Sequence, residues 1–171
     1  MQTLPQIEQT FEGKIRFVLR DFPVHGEPAV KMAEATECAD DQDKFWEYHD
    51  KLWETYETNA QQAADTEALV STLKGYASDL ELDTATFDEC LDSDKYASEV
   101  QKDYQDAASY GVGGTPSFFV NGRLVPGAIP FEDYQGSTGG TQPGFNSVID
   151  QALAAAEAGS AVPTVTSGGG G

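Results

Sequence analysis

The sequence predicts an α/β fold in which a short β-hairpin is joined to a run of amphipathic helices. Three observations carry that expectation. Residues 110–127 hold a glycine cluster, then Thr115-Pro116, the apolar run Ser117 to Val120, the pair Asn121-Gly122, and a return through Leu124 and Val125. Asn-Gly between apolar runs is the strongest short hairpin signal, because both central residues of the favoured turn need positive φ. From Asp41 to about Tyr110, apolar residues recur at helical spacing. Near the start, Ile15, Phe17 and Leu19 alternate with Arg16 and Val18, the period of a strand.

Length and charge bound the rest. A chain of 171 residues fits one domain with a substantial core. No apolar run reaches the length of a membrane span, and no secretory signal stands at the start. Asp and Glu number 29 against 10 Lys and Arg, a net charge of -19. That excess argues against nucleic acid and anionic membrane as partners. The acid runs along the chain and is not gathered into a tail. It reads either as a solvated acidic surface or as adaptation to high salt, where self-repulsion is screened.

In chain order, Leu4, Ile7 and Phe11 fall at helical spacing, with Gly13 as the C-cap. A chain seldom begins inside a helix, so the expectation is that residues before Met1 are missing. A strand follows over 15–20, ended by Asp21-Phe22-Pro23. Pro28 suits the first turn of a helix running to about Ala39. Asp41 or Asp43 is the expected cap of a helix to Tyr56. Leu69, Leu73, Tyr76 and Leu80 mark the next helix. Asp83 or Thr84 starts a short one through Phe87, Cys90 and Leu91, and Ser93 or Asp94 starts another with Tyr96, Val100 and Tyr104 inward. Residues 130–143 read as a loop and 145–158 as a final helix. Residues 159–171, rich in Gly, Ser and Thr, read as a disordered tail. The aromatic group Phe45, Trp46, Tyr48, Trp53 and Tyr56 is expected to pack inside the bundle. The alternative is an apolar surface for unfolded polypeptide.

The segment Gly-Val-x-Gly-Thr-Pro-x-Phe-Phe-Val-Asn-Gly, from Gly111 to Gly122, resembles the cis-proline loop and hairpin of the DsbA-like branch of the thioredoxin superfamily. Residues 15–23 resemble the strand that follows the active-site helix in that family. Residues 33–50 are similar to the first part of its helical insertion. The likeness runs from about Thr3 to about Ala156. It implies a thioredoxin-like α/β fold with an inserted helical bundle, residues 1–40 and 111–158 forming the thioredoxin-like part and 41–110 the insertion. It also implies that the first central strand and the start of the active-site helix are absent. The family's Cys-x-x-Cys lies shortly upstream of a segment that here is Thr3 to Ile7, and no Cys-x-x-Cys occurs in this chain. With the central strand gone, open strand edges are expected to invite self-association.

The resemblance implies a protein thiol–disulfide oxidoreductase whose catalytic cysteines lie outside these residues. Gly114, Thr115 and Pro116 would form the substrate-binding wall, pairing with polypeptide backbone as an added strand. It implies no cofactor, polypeptide substrates bearing thiols or disulfides, a redox partner protein, and work outside the cytoplasm. Two other functions stay open: a redox-inactive polypeptide-binding module, and the glutathione-linked chemistry of proteins sharing the helical insertion. Cys38 and Cys90 are open to three readings: buried free thiols, a structural disulfide, or a remote redox pair. Relatives that brace the insertion with a second disulfide favour the bridge. His25 and His49 together with these cysteines match no zinc spacing.

Overall fold

The computed structural model describes residues 3–137 and 139–159. The tail expected over 159–171 therefore lies, beyond Gly159, outside the described residues. The helices are α1 (Thr3–Thr10), α2 (Glu27–Asp40), α3 (Phe45–Glu54), α4 (Tyr56–Gln62), α5 (Thr66–Asp79), α6 (Thr84–Asp92), α7 (Ala97–Ser109) and α8 (Phe145–Glu157). The strands are β1 (Ser117–Val120), β2 (Arg123–Pro126), β3 (Tyr134–Gln135) and β4 (Thr141–Gln142). The chain divides into a hairpin unit, residues 1–20 with 108–171, and a helical unit, residues 21–107.

In the hairpin unit, β1 and β2 pair antiparallel with Phe118 opposite Val125 and Phe119 opposite Leu124. Asn121 and Gly122 take φ of 46° and 84°, the two positive values this turn demands. Strand periodicity then sends Phe118 and Val120 inward and leaves Phe119 exposed against Tyr110. Phe118 meets Phe145 of α8 edge-on, ring centroids 4.8 Å apart. Ile7 and Phe11 of α1 join Val125, Phe131, Phe145, Val148 and Ile149 in one buried cluster. Gly144 anchors the start of α8. Its N–H donates to Asp133 Oδ1 at 2.9 Å, and a Cβ there would sit 2.3 Å from the Glu132 carbonyl oxygen, so only glycine fits. The expected loop over 130–143 also contains the small β3–β4 ladder.

Residues 15–20 are not a strand, contrary to the sequence expectation. Their burial still alternates: Ile15, Phe17 and Leu19 are half-buried, and Arg16, Val18 and Arg20 exposed. The period-two pattern is a property of side chains. A strand also needs a partner edge for its N–H and C=O groups, and among the described residues no strand pairs with this segment.

The helical unit packs α2 against α3, α5 and α6. Ala35, Cys38, Tyr48, Leu69, Leu73, Phe87 and Leu91 are almost fully buried. Each buried leucine stabilises by roughly 1.5–3 kcal/mol. The buried polar side chains of this core find partners, Asp88 Oδ1 on α6 being the exception. Tyr48 donates to the Leu73 carbonyl at 2.8 Å, and Tyr76 to Asn59 Oδ1 at 2.9 Å. Buried Glu34 accepts from Lys31 at 3.3 Å, and the same ammonium reaches Asp94. Cys38 of α2 and Cys90 of α6 are joined by a disulfide, Cα atoms 5.9 Å apart across 52 residues.

The compact helical unit takes in α2, which packs on α3, α5 and α6 and is bonded to α6 by the disulfide. One expectation differs here. Neither Asp41 nor Asp43 caps α3, whose N-cap is Lys44. Asp41 instead accepts from Lys95 at 2.6 Å and Tyr96 at 2.7 Å, fastening the end of α2 to the start of α7. Asp83 does cap α6, accepting from the Thr86 N–H at 2.8 Å. Gln42 clamps that cap with two hydrogen bonds, to the Asp83 carbonyl and from its N–H.

Candidate functional site

The glycine-rich loop leaves α7 at Gly111, where φ is +82°, and reaches β1 through Gly113, Gly114, Thr115 and Pro116. The Thr115–Pro116 peptide is cis. The loop is tied at both ends. Ser117 Oγ donates to the Gly114 carbonyl at 2.7 Å, and the Gly127 N–H donates to the Pro116 carbonyl at 3.0 Å. Between those ties, Thr115 and Pro116 are exposed, and the Thr115 N–H and carbonyl make no hydrogen bond among the described residues. The other long edge of β1 has no strand partner among the described residues. The loop thus presents free backbone polar groups at the entry of a strand with one unpaired edge, the arrangement to which an extended peptide can add.

Cys38 and Cys90 are brought together, but far inside the helical bundle, 1% and 5% exposed. Neither offers a free thiol. His25 stands in an exposed turn, while His49 lies on α3, its Nδ1 against Asp50 at 3.1 Å and its Nε2 accepting from the Trp53 indole at 3.1 Å. No group of three His, Cys, Asp or Glu able to hold a metal exists among the described residues.

Only Tyr48 of the aromatic group is in the core; Phe45 is half-buried, and Trp46, Trp53 and Tyr56 are exposed. The expectation that the group packs inside the bundle holds for the face that meets α5 and α6. The opposite face carries the other rings. Sequence reasoning also passed over Glu37. Burial first, then the carboxylates of Asp21, Glu99, Asp40 and Asp103, push its carboxyl up to about 7. Three of those partners come from outside α2, so no local pattern marks the residue.

The thioredoxin family profile matches residues 2–137. The chain belongs to the thioredoxin family. Among curated proteins it is 40% identical over 121 residues to the Na(+)/H(+) antiporter NhaA 1 of Salinispora arenicola, covering 69% of this chain and 17% of the antiporter. It is 29% identical over 134 residues to disulfide bond formation protein D of Bacillus subtilis, covering 76% of this chain and 58% of that protein. A probable disulfide bond formation protein D of Bacillus anthracis is 28% identical over 126 residues, 71% of this chain and 57% of the relative. The chain spans about a sixth of the antiporter and under two thirds of the disulfide-forming relatives. No solved structure matches. No described helix is long and apolar enough to cross a membrane.

Proposed function

We propose that this chain is the scaffold and polypeptide-binding part of a DsbA-like protein thiol–disulfide oxidoreductase acting outside the cytoplasm. The observation that carries the reading is the loop at Gly114, Thr115 and Pro116, set in a chain of the thioredoxin family, with an exposed and unpartnered Thr115 backbone at the mouth of β1. The relatives named for disulfide bond formation support the same chemistry. In that chemistry a thiolate attacks one sulfur of a disulfide, the S–S bond breaks and the other sulfur leaves as thiolate, giving a mixed disulfide. A second thiolate then attacks the mixed disulfide, forms the new S–S bond and expels the displaced sulfur as thiolate. Cys38 and Cys90 are already bonded and buried, so they are not the attacking pair. The reading therefore assigns the reacting dithiol to residues outside these 171. Gly114, Thr115 and Pro116 hold the substrate backbone beside it, and a separate redox protein returns the dithiol to its working state. The Cys38–Cys90 bridge suits an oxidising compartment.

One observation favours a second reading, a redox-inactive module that only binds polypeptide. The chain has just two cysteines, and both are spent in the bundle. Insulin reduction by dithiothreitol separates the two. It is measured on this chain and on a longer protein that includes the in-frame residues upstream of Met1. Turnover in the longer protein alone supports the oxidoreductase. Silence in both supports the binding module, and turnover in the short chain would overturn both assignments of Cys38 and Cys90.

A further inference from the structure

On α3 and the start of α4, the exposed rings of Trp46, Trp53 and Tyr56 and the half-buried ring of His49 are each followed at once by an acid: Trp46-Glu47, His49-Asp50, Trp53-Glu54 and Tyr56-Glu57. The rings stand at i, i+3, i+7 and i+10, so they fall in one row along the helical face. The acids, each one position on, form a second row about 100° further round, as the helical period of 3.6 residues requires. The structure joins the rings edge to face and face to face. Trp46 meets His49 at 5.6 Å, His49 meets Trp53 at 6.3 Å, and Trp53 stacks on Tyr56 at 6.2 Å with planes 14° apart. The hydrogen bond from the Trp53 indole to His49, and that between His49 and Asp50, fix the row's centre. Trp46, Trp53 and Tyr56 are 45%, 60% and 62% exposed.

We propose that this face is a docking surface for a cationic polypeptide segment, one that interleaves Lys or Arg with apolar side chains. Charge decides the occupant. The helical unit holds 23 Asp and Glu against 6 Lys and no Arg, a net charge of -17. Among the described residues Lys44 pairs with Glu47, Lys51 bonds Asp79 and attracts Glu54 only at longer range, and no Lys or Arg forms an ion pair with Asp50, Glu54 or Glu57. A second copy would bring the same negative charge, and an anionic lipid surface would be repelled. A lysine or arginine gains twice here, from the face of an aromatic ring and from the carboxylate beside it. Apolar residues of the same segment cover the exposed indoles. The surface needs no thiol chemistry, so it stands or falls separately from the oxidoreductase reading.

The chain's two tryptophans are Trp46 and Trp53, so intrinsic fluorescence reports this face directly. The test titrates the full chain with a basic peptide carrying leucines at helical spacing, and with its acidic counterpart in which Glu replaces every Lys and Arg. The basic peptide should shift the emission to shorter wavelength, and raising salt should weaken it. Trp53→Ala, and separately the triple change Asp50→Asn, Glu54→Gln and Glu57→Gln, should each weaken binding by about tenfold or more. All these positions are exposed, and unchanged melting would confirm that the fold is intact. Equal binding of the acidic peptide, or full affinity in both variants, would overturn the proposal. So would an emission shift that follows protein concentration alone, since that marks a second copy as the occupant.

Discussion

Glu37 places an ionisable carboxyl where water is scarce and other carboxylates are near. Its carboxyl is pushed up to about 7 by burial, with Asp21, Glu99, Asp40 and Asp103 adding to the rise. Below the ordinary glutamate range it is protonated in folded and unfolded chains alike, and contributes nothing to the pH dependence. Between that range and about 7 the unfolded chain releases the proton and the folded one keeps it. Stability must then fall as pH rises through that window, and the loss is complete above about 7. After discounting for solvent around this half-buried group, a penalty of about 1 kcal/mol is reasonable. In a chain of this size that moves Tm by roughly 2–4 °C. Thermal melts at pH 5.5 and pH 8 should therefore differ in favour of the lower pH. Glu37→Gln should raise the pH 8 value and flatten the difference. A variant whose slope matched the parent would assign the pH dependence elsewhere.

At the scale of elements, the hairpin turn is set by two adjacent residues, whereas the disulfide joins segments 52 residues apart. Asn121-Gly122 announces its turn because two adjacent residues satisfy a local backbone demand. Ile15, Phe17 and Leu19 announced an exposed and a buried face, and the structure keeps those faces without a ladder. Pairing is a relation between distant segments, and alternation within one segment cannot supply it. The end of α2 hid its role for the same reason. Asp41 looked like a cap, but its partners Lys95 and Tyr96 lie more than fifty residues away. Trp46, Trp53 and Tyr56 sit at core spacing, yet α3 buries only the face of Tyr48. Of the candidate binding residues, the turn geometry after Pro116 was legible; the unpartnered state of the Thr115 backbone needed the fold. The Cys38–Cys90 bridge carries its own prediction. It closes a loop of 52 residues between α2 and α6. Chain entropy gives such a loop roughly 4 kcal/mol at most. Changing both cysteines to serine should lower the melting temperature of the helical unit by several degrees. If the same change left melting unaltered, packing of Leu69, Leu73, Phe87 and Leu91 alone would hold the bundle.

At the scale of the whole molecule, the net charge of -19 is not shared evenly. All but six of the acids fall in residues 21–107, and the hairpin unit holds those six against 4 Lys and Arg. A solvated acidic surface and a salt-adapted one then differ in a measurable way. Self-repulsion acts across the helical unit at low ionic strength, where the Debye length is about 10 Å at 0.1 M. At 1 M it contracts to about 3 Å, and most of the repulsion is screened. Chloride salts separate screening from the general strengthening of burial that sulfate produces. Melting in KCl should rise steeply below about 1 M and then level off as the screening length falls below the spacing of surface carboxylates. The rise should be greatest in the transition of the helical unit and small in that of the nearly neutral hairpin unit. Screening would also leave the hairpin unit's unpaired β1 edge as a site of association, because charge does little there to keep copies apart. Sedimentation at the same salt concentrations should show mass increasing with salt, and Phe119→Lys, on the exposed face of β1, should suppress it. A melting temperature indifferent to KCl would leave the acid as an ordinary solvated surface whose repulsion does not limit stability.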